Sequence, residues 1–373
     1  MHLRHLVRAL AVSLALGATL LTTGGTGVAA ATAPGWELSL SGDSAASSLM
    51  SVSAPDANHA WAVGRKAMRG VIMRWDGRSW QADTTPGLPD VWQWSAVSAV
   101  SADDVWAYGV GKGGQALVHY DGDRWSSVPT VGALDRSWPE VPLDAVPGRL
   151  FKGGKALYTY ADGDWQTFEL PYLVDIRDID ALSADNAYAT GMQYPVDDGH
   201  PVVYHWDGTT WTLLPQPPLK KSTDAVQIVA ESPASVYVGG WAQGKHGAPP
   251  IPSVMRWNGA AWQNITGPLA DMYLDSLSSD GAGGLWATGS DKSTPEVGSE
   301  PFIWHYDGAT WTKQAGALAP DAETRWPSYA FNDLAPAGDS GAFWAVGYYR
   351  MPMDEHTDTK VNALIERSTA PKG

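Results

Sequence analysis

The chain has 373 residues, with 25 basic side chains against 40 acidic ones and no cysteine. That charge balance argues against nucleic acid or an anionic membrane surface as partner, because both are held largely by Lys and Arg neutralising phosphate. Without cysteine there is no disulfide framework, so stability has to come from a large, well-filled core.

Residues 1–31 read as a secretory signal peptide. Arg4 and Arg8 precede the apolar run Ala9–Leu21, and small residues at Val28-Ala29-Ala30-Ala31 offer a cleavage site. The run is too short for a comfortable membrane span and no later stretch approaches one. The expectation is an exported, extracellular protein whose single domain covers residues 32–373. Removing Arg4 and Arg8 leaves 23 basic residues against 40 acidic, a surface that stays well solvated and is open to a divalent cation, a neutral glycan or a basic partner.

Along the rest of the chain one seven-residue figure recurs. It reads Arg-Trp-Asp-Gly-Arg-Ser-Trp at 74–80 and returns, with small changes, at 119–125, 205–211, 256–262 and 305–311. A copy at 159–165 keeps the aromatic spacing but slips Asp-Gly by one place. Asp-Gly or Asn-Gly between apolar runs predicts a tight β-hairpin in which both turn residues accept φ > 0. Upstream of the hairpins lies a second element: Trp61-Ala-Val-Gly64, Trp106-Ala-Tyr-Gly109, Tyr188-Ala-Thr-Gly191, Tyr237-Val-Gly-Gly240, Trp286-Ala-Thr-Gly289 and Trp344-Ala-Val-Gly347. A further strand precedes each, so every unit holds four strands, a to d. The closing Trp falls at 80, 125, 165, 211, 262 and 311, a period of 40 to 51 residues that indicates propeller blades.

Six units are complete. A seventh has strands a, b and c at Tyr329–Leu334, Phe343–Tyr348 and Val361–Arg367 but no d strand. Trp36–Leu40 has the character of the missing strand, and Trp36 precedes Trp80 by 44 residues, one period. The prediction is an all-β, seven-bladed β-propeller with four antiparallel strands per blade, closed by the N-terminal strand joining the C-terminal blade. Closure removes exposed sheet edges and ties the termini together. A monomer is expected.

These motifs resemble the secreted seven-bladed propellers of high-GC Gram-positive bacteria that carry Trp-Ala-Val-Gly and Trp-Asp-Gly-x-x-Trp repeats, similar in style to kelch and Asp-box proteins. The resemblance covers the chain beyond the signal segment and implies the architecture. It leaves function open, because propellers of this style include lectins, hydrolases, lyases, oxidases and scaffolds. Blade 3 departs most: Gly148–Gly154 has no Trp-Ala-Val-Gly, which puts its second strand in question.

Few motifs carry chemistry. His119, His205 and His305 share their register with Arg74, Arg256 and Thr159, so they read as packing and hydrogen-bonding positions, not as ligands or bases. Gly109-Val-Gly-Lys-Gly-Gly114 satisfies a dinucleotide spacing but leads into a strand, with no helix to aim its amides at a pyrophosphate. No catalytic residue and no cofactor is assigned. Calcium is the one ion for which acidic loops, Asp197-Asp198-Gly-His200 and Asp354–Asp358, offer oxygen ligands.

Function is expected where the blades differ, on the face formed by the d–a and b–c loops. The b–c loops lengthen after blade 3, and the d–a loops bring aromatic and charged residues to the channel mouth. The ligand-binding set is Trp94, Asp135, Arg136, Trp138, Tyr172, Tyr273, Arg325 and Trp326, because aromatic faces flanked by charged groups suit a sugar ring. The leading expectation is a lectin-like binding module for a glycan or another exposed ligand. Its rivals are a glycan-cleaving hydrolase or lyase, with Asp135, Glu140, Asp175 or Glu323 as the carboxylates, and a protein-interaction scaffold.

Overall fold

Each repeat of the sequence becomes one four-stranded antiparallel sheet, and seven such sheets stand side by side in a ring. The computed structural model describes residues 35–42, 46–132, 141–171, 174–194, 199–219, 223–244, 248–291, 300–320, 327–352 and 359–369. Blade 1 is β2 (Ser48–Ser53), β3 (Ala60–Lys66), β4 (Arg69–Trp75) and β5 (Trp80–Ala82); blade 2 is β6 (Gln93–Ser101), β7 (Asp104–Gly111), β8 (Gly114–Tyr120) and β9 (Trp125–Val128). Blade 3 is β10 (Leu143–Val146), β11 (Arg149–Lys152), β12 (Ala156–Ala161) and β13 (Asp164–Glu169); blade 4 is β14 (Val174–Ser183), β15 (Asn186–Gln193), β16 (His200–Trp206) and β17 (Trp211–Leu213). Blade 5 is β18 (Thr223–Ser232), β19 (Ser235–Ala242), β20 (Ile251–Trp257) and β21 (Trp262–Asn264); blade 6 is β22 (Met272–Ser279), β23 (Leu285–Asp291), β24 (Phe302–Tyr306) and β25 (Trp311–Ala315). Blade 7 is β26 (Ser328–Pro336), β27 (Phe343–Pro352) and β28 (Thr359–Ser368), completed by β1 (Trp36–Leu40).

The N-terminal strand completes the last blade as expected: Trp36 lies opposite Ser368, Glu37 opposite Arg367 and Leu38 opposite Glu366. The questioned second strand of blade 3 forms as β11, with Phe151 in the place that Trp106 takes in blade 2. Phe151 pairs with Asp144 as Trp106 pairs with Ser98.

The blades adhere through aromatic rings. The b-strand aromatic of one blade meets the c-strand aromatic of the next, as in Trp61 and Tyr120 (6.3 Å between centroids), Trp106 and Tyr160 (5.7 Å), and Phe151 and Trp206 (6.4 Å). At the closing seam Trp344 meets Trp75 at 5.0 Å and Trp80 at 5.1 Å. The b strands are therefore covered on both faces, which is why they read as unbroken apolar runs. Their repeated Gly has a separate cause. The a strands of blades 1, 2, 4, 6 and 7 carry a one-residue β-bulge, at Met50, Ser95, Arg177, Asp275 and Asn332, and a carbonyl just before it presses on the facing b strand. A Cβ at Gly64 would collide with the carbonyl oxygen of Ser48, and one at Gly289 with that of Tyr273.

The hairpins differ from expectation. In the regular copies the loop closes on an aromatic pair, Trp75 opposite Trp80, and only the Gly has positive φ (Gly77 +88°, Gly208 +95°). The Asp is a side-chain cap instead: Asp207 Oδ1 accepts from the Thr209 and Thr210 amides, both at 2.9 Å. These bonds hold its carboxyl down at about 2. The slipped copy is the one that makes the predicted turn, with Ala161 opposite Asp164 and both Asp162 (+54°) and Gly163 (+90°) at positive φ.

The closing blade buries a carboxyl. Glu366 on β28 is fully buried; its Oε2 accepts from the Ala317 amide at 3.0 Å, while Oε1 has no partner among the described residues. Burial pushes its pKa up to about 8.

Candidate functional site

A channel of about 580 Å³ runs through the middle of the ring, lined by the innermost strands β2, β6, β10, β14, β18, β22 and β26. Such strands are sheet edges, and their outward amides need partners. Side chains of the preceding blade supply them. Ser51 and Ser53 accept from the Val97 and Ala99 amides, Ser98 from Ala145, and Asp144 from Ala181 at 2.8 Å. Asp178 and Asp180 accept from Ile228 (2.8 Å) and Ala230 (2.7 Å). Glu231 accepts from the Ser279 hydroxyl, Asp333 from that of Ser276, and Asp333 also takes the Val52 amide at 2.9 Å, returning to blade 1.

The four aspartates edge the channel and are partly buried between neighbouring strands. Desolvation raises the carboxyls of Asp144, Asp178, Asp180 and Asp333 above the usual range, and mutual repulsion between Asp178 and Asp180, and between Asp180 and Asp144, adds to it. Their oxygens are taken by amides and hydroxyls, so they act as blade-to-blade latches. This arrangement escaped the sequence reading. Its signal is a period-two run of Ser and Asp, such as Asp178 and Asp180, in strands otherwise buried.

The bulges supply the variable part of the site. Each turns one residue toward the channel: Met50, Ser95, Arg177, Asp275 and Asn332 all line it, and among the lining residues Arg177 is the only cation. Strand a starts at the loop face, so these residues sit near that mouth. Arg177 pairs with Asp175 at 3.2 Å, Lys155 reaches the same carboxylate at 3.5 Å, and the Arg177 guanidinium donates to Tyr194 Oη at 3.4 Å. Thus β14 and the b–c turns of blades 3 and 4 bring two cations, a carboxylate and an exposed phenol together. Trp92, ahead of β6 on the same face, is also exposed.

Of the residues expected to bind ligand, Trp94 and Tyr273 are described. Trp94 is 1% exposed and wedged between blades 1 and 2, against Gly70 and Gly109, with no ring face left for a ligand. It corrects the expectation: the residue two places earlier, Trp92, is the exposed one. Tyr273 is half-buried and meets Trp241 edge-on at 4.3 Å, which forms an aromatic corner between blades 5 and 6. Asp135, Arg136, Trp138, Tyr172, Arg325 and Trp326 lie outside the described residues, as do Glu140, Glu323, Asp197, Asp198 and the acidic loop 354–358. Among the described residues no group of three or more His, Asp or Glu is arranged to hold a metal ion. The repeated histidines pair within their own blade, as read: His119 with Asp104 (2.8 Å), His205 with Asn186 (3.0 Å) and His305 with Asp280 (2.9 Å).

No protein-family model matches the chain, and no curated protein matches it in sequence. Among solved structures it is similar to YCF48 bound to D1 peptide, with TM-score 0.56 and 16% identity over 88% of this chain and 94% of that one. It is also similar to a streptogramin B lyase, with TM-score 0.58 and 13% identity over 90% and 97% of the two chains. A third likeness is to the GH74 xyloglucanase from Xanthomonas campestris, with TM-score 0.59 and 14% identity over 89% of this chain and 55% of that one. At such identities the likeness establishes the propeller alone. The same ring serves a peptide complex, a lyase and a glycoside hydrolase, so function has to be argued from the site.

Proposed function

We propose that the protein is an exported binding module that takes a glycan, or another exposed ligand of similar polarity, at the loop-face mouth of the channel. The observation that carries this reading is the contrast between the channel wall and its rim. The wall aspartates are engaged by neighbouring amides and hold blade to blade. The rim instead offers ring faces at Trp92 and Tyr194 with a charged group, Lys155, Asp175 and Arg177, beside the latter. Aromatic surface for C–H faces and charged groups for hydroxyls is the chemistry of sugar recognition.

The test is a panel of glycans and cell-wall polysaccharides titrated into the mature protein. A hit should weaken by about tenfold or more in Trp92→Ala and Tyr194→Ala, as for a contact at the centre of a binding site. The melting temperature should hold, since both rings are exposed. A hit indifferent to both substitutions would contradict the site, and turnover of a hit would favour the glycan-cleaving reading.

A further inference from the structure

On the opposite face, where the a–b and c–d turns lie, the seam between blades 2 and 3 opens into a notch of about 190 Å³. It is bordered by Asp104, Trp106, His119, Val146, Leu150, Tyr160 and Asp162. Two features of the sequence open it. The first is the a–b connection of blade 3: Asp144 and its partner Phe151 are seven apart in sequence, where Ser53 and Trp61, Ser98 and Trp106, and Asp180 and Tyr188 are eight apart. The second is the side chain at the c-strand register of blade 2. In the seam between blades 1 and 2, Arg74 crosses to the hydroxyl of Tyr120 at 3.1 Å, whereas His119 is shorter and turns back to Asp104. The space that an arginine fills in one seam is vacant in the next.

The slipped hairpin adds a third feature. Tyr120 and Tyr306 give their hydroxyl protons to the carbonyls of Gly122 and Gly308. Tyr160, their counterpart in blade 3, makes no hydrogen bond to the described residues, because its hairpin closes on Ala161 and Asp164 and carries the glycine elsewhere. The notch therefore has apolar walls in Val146, Leu150, Ala161 and the rings of Trp106 and Tyr160, an unused hydroxyl, and a lip of two carboxylates, Asp104 and the exposed Asp162. The guanidinium of Arg149, which also borders it, is drawn over Trp206 of blade 4. Around it the c–d turns place further carboxylates, Asp76, Asp121, Asp207 and Asp307, on the same face, a field that favours cations over neutral or anionic groups.

We propose that this notch binds a primary ammonium group on an apolar stem, as a lysine side chain presents. The stem lies against Trp106, Val146 and Leu150, and the ammonium reaches Asp162 and the Tyr160 hydroxyl. The site is separate from the loop-face mouth and stands or falls independently of the ligand bound there.

The test uses Nα-acetyl-lysine methylamide as probe, with its uncharged norleucine analogue and n-butylammonium beside it, followed at the Trp106 indole resonance. His119→Arg restores the residue found at this register in Arg74, Arg256 and Arg367, so it should fold and fill the notch. Asp162→Asn removes the charge while keeping a residue that tolerates φ of +54°. The lysine probe should give a saturable shift, and the norleucine analogue and both variants should bind about tenfold more weakly or worse, with added salt weakening the wild type. Butylammonium binding as well as the lysine probe would identify a free amine as the natural occupant, and weaker binding a lysine within a peptide. No saturable shift, equal binding of the norleucine analogue, or undiminished binding by His119→Arg would overturn the proposal.

Discussion

The two ends of the propeller use the same residue types for different purposes. At the turn end the tryptophans, histidines and aspartates that repeat from blade to blade are mostly engaged locally: Trp286 stacks on His305 at 4.2 Å, His305 bonds Asp280, and Asp307 caps its own hairpin. At the loop end Trp92 and Tyr194 are exposed, and a carboxylate is shared between Lys155 and Arg177. The comparison teaches that repetition marks what holds the ring, and departure from repetition marks where a ligand can be met.

The contrast is sharpest for one residue type at two places. Trp344→Ala, at the closing seam, should cost about 3–5 kcal/mol in a denaturant titration, as large buried aromatics do. Trp92→Ala should stay within about 0.5 kcal/mol. A comparable loss at both positions would break the distinction between frame and rim.

Next in size are the latches. Asp333→Ala leaves the Val52 and Leu334 amides and the Ser276 hydroxyl without their acceptor, which should cost about 1–3 kcal/mol and speed hydrogen exchange at Val52. A neutral result would mean that the channel carboxylates do not bind blade to blade.

The effect expected at Glu366 depends on pH. The pKa is raised from about 4.3 in the unfolded chain to about 8 in the fold. The native state therefore holds a proton that the unfolded state has lost, and stability falls as pH rises across that window. Glu366→Gln should flatten the decline in melting temperature between about pH 5 and pH 9 and stabilise most at the alkaline end. A decline as steep as in the wild type would place its origin elsewhere, with the channel aspartates first in line, since their raised pKa values act in the same direction.

The smallest effect belongs to the hairpins. Gly308 has φ +89°, and a Cβ there would meet only the Gly283 carbonyl oxygen, at an ordinary contact distance of 3.4 Å, so Gly308→Ala should cost only the left-handed backbone, about 1 kcal/mol, without touching ligand binding.

Blade number, strand count and ring closure were legible because each is written as a period: the Trp-Asp-Gly-x-x-Trp figure, its upstream Trp-Ala-Val-Gly, and Trp36 one period ahead of Trp80. The exact turn was not, because Asp-Gly serves both a two-residue hairpin and a capped four-residue loop, and only the position of the closing aromatic pair separates them. The bulges were hidden for a related reason. One extra residue in strand a changes which side chain faces the channel while the local composition stays strand-like, so Arg177 was not singled out and Trp94 was assigned to the mouth when its ring points into the seam. The slot itself depends on comparing register between blades: a connection one residue shorter in blade 3 matters only beside His119.

The central claim is that the side chains repeated from blade to blade hold the ring, and that those at the loop-face mouth, which depart from the repeat, meet the ligand. The most direct measurement compares two multiple variants on whichever panel ligand the wild type binds: Trp92→Ala with Tyr194→Ala, and Asp76→Ala with Asp207→Ala and Asp307→Ala. The account predicts that the first pair loses affinity at an unchanged melting temperature, and that the second set melts earlier while keeping its affinity. Binding that survives the first and fails in the second, with both proteins folded, would contradict it.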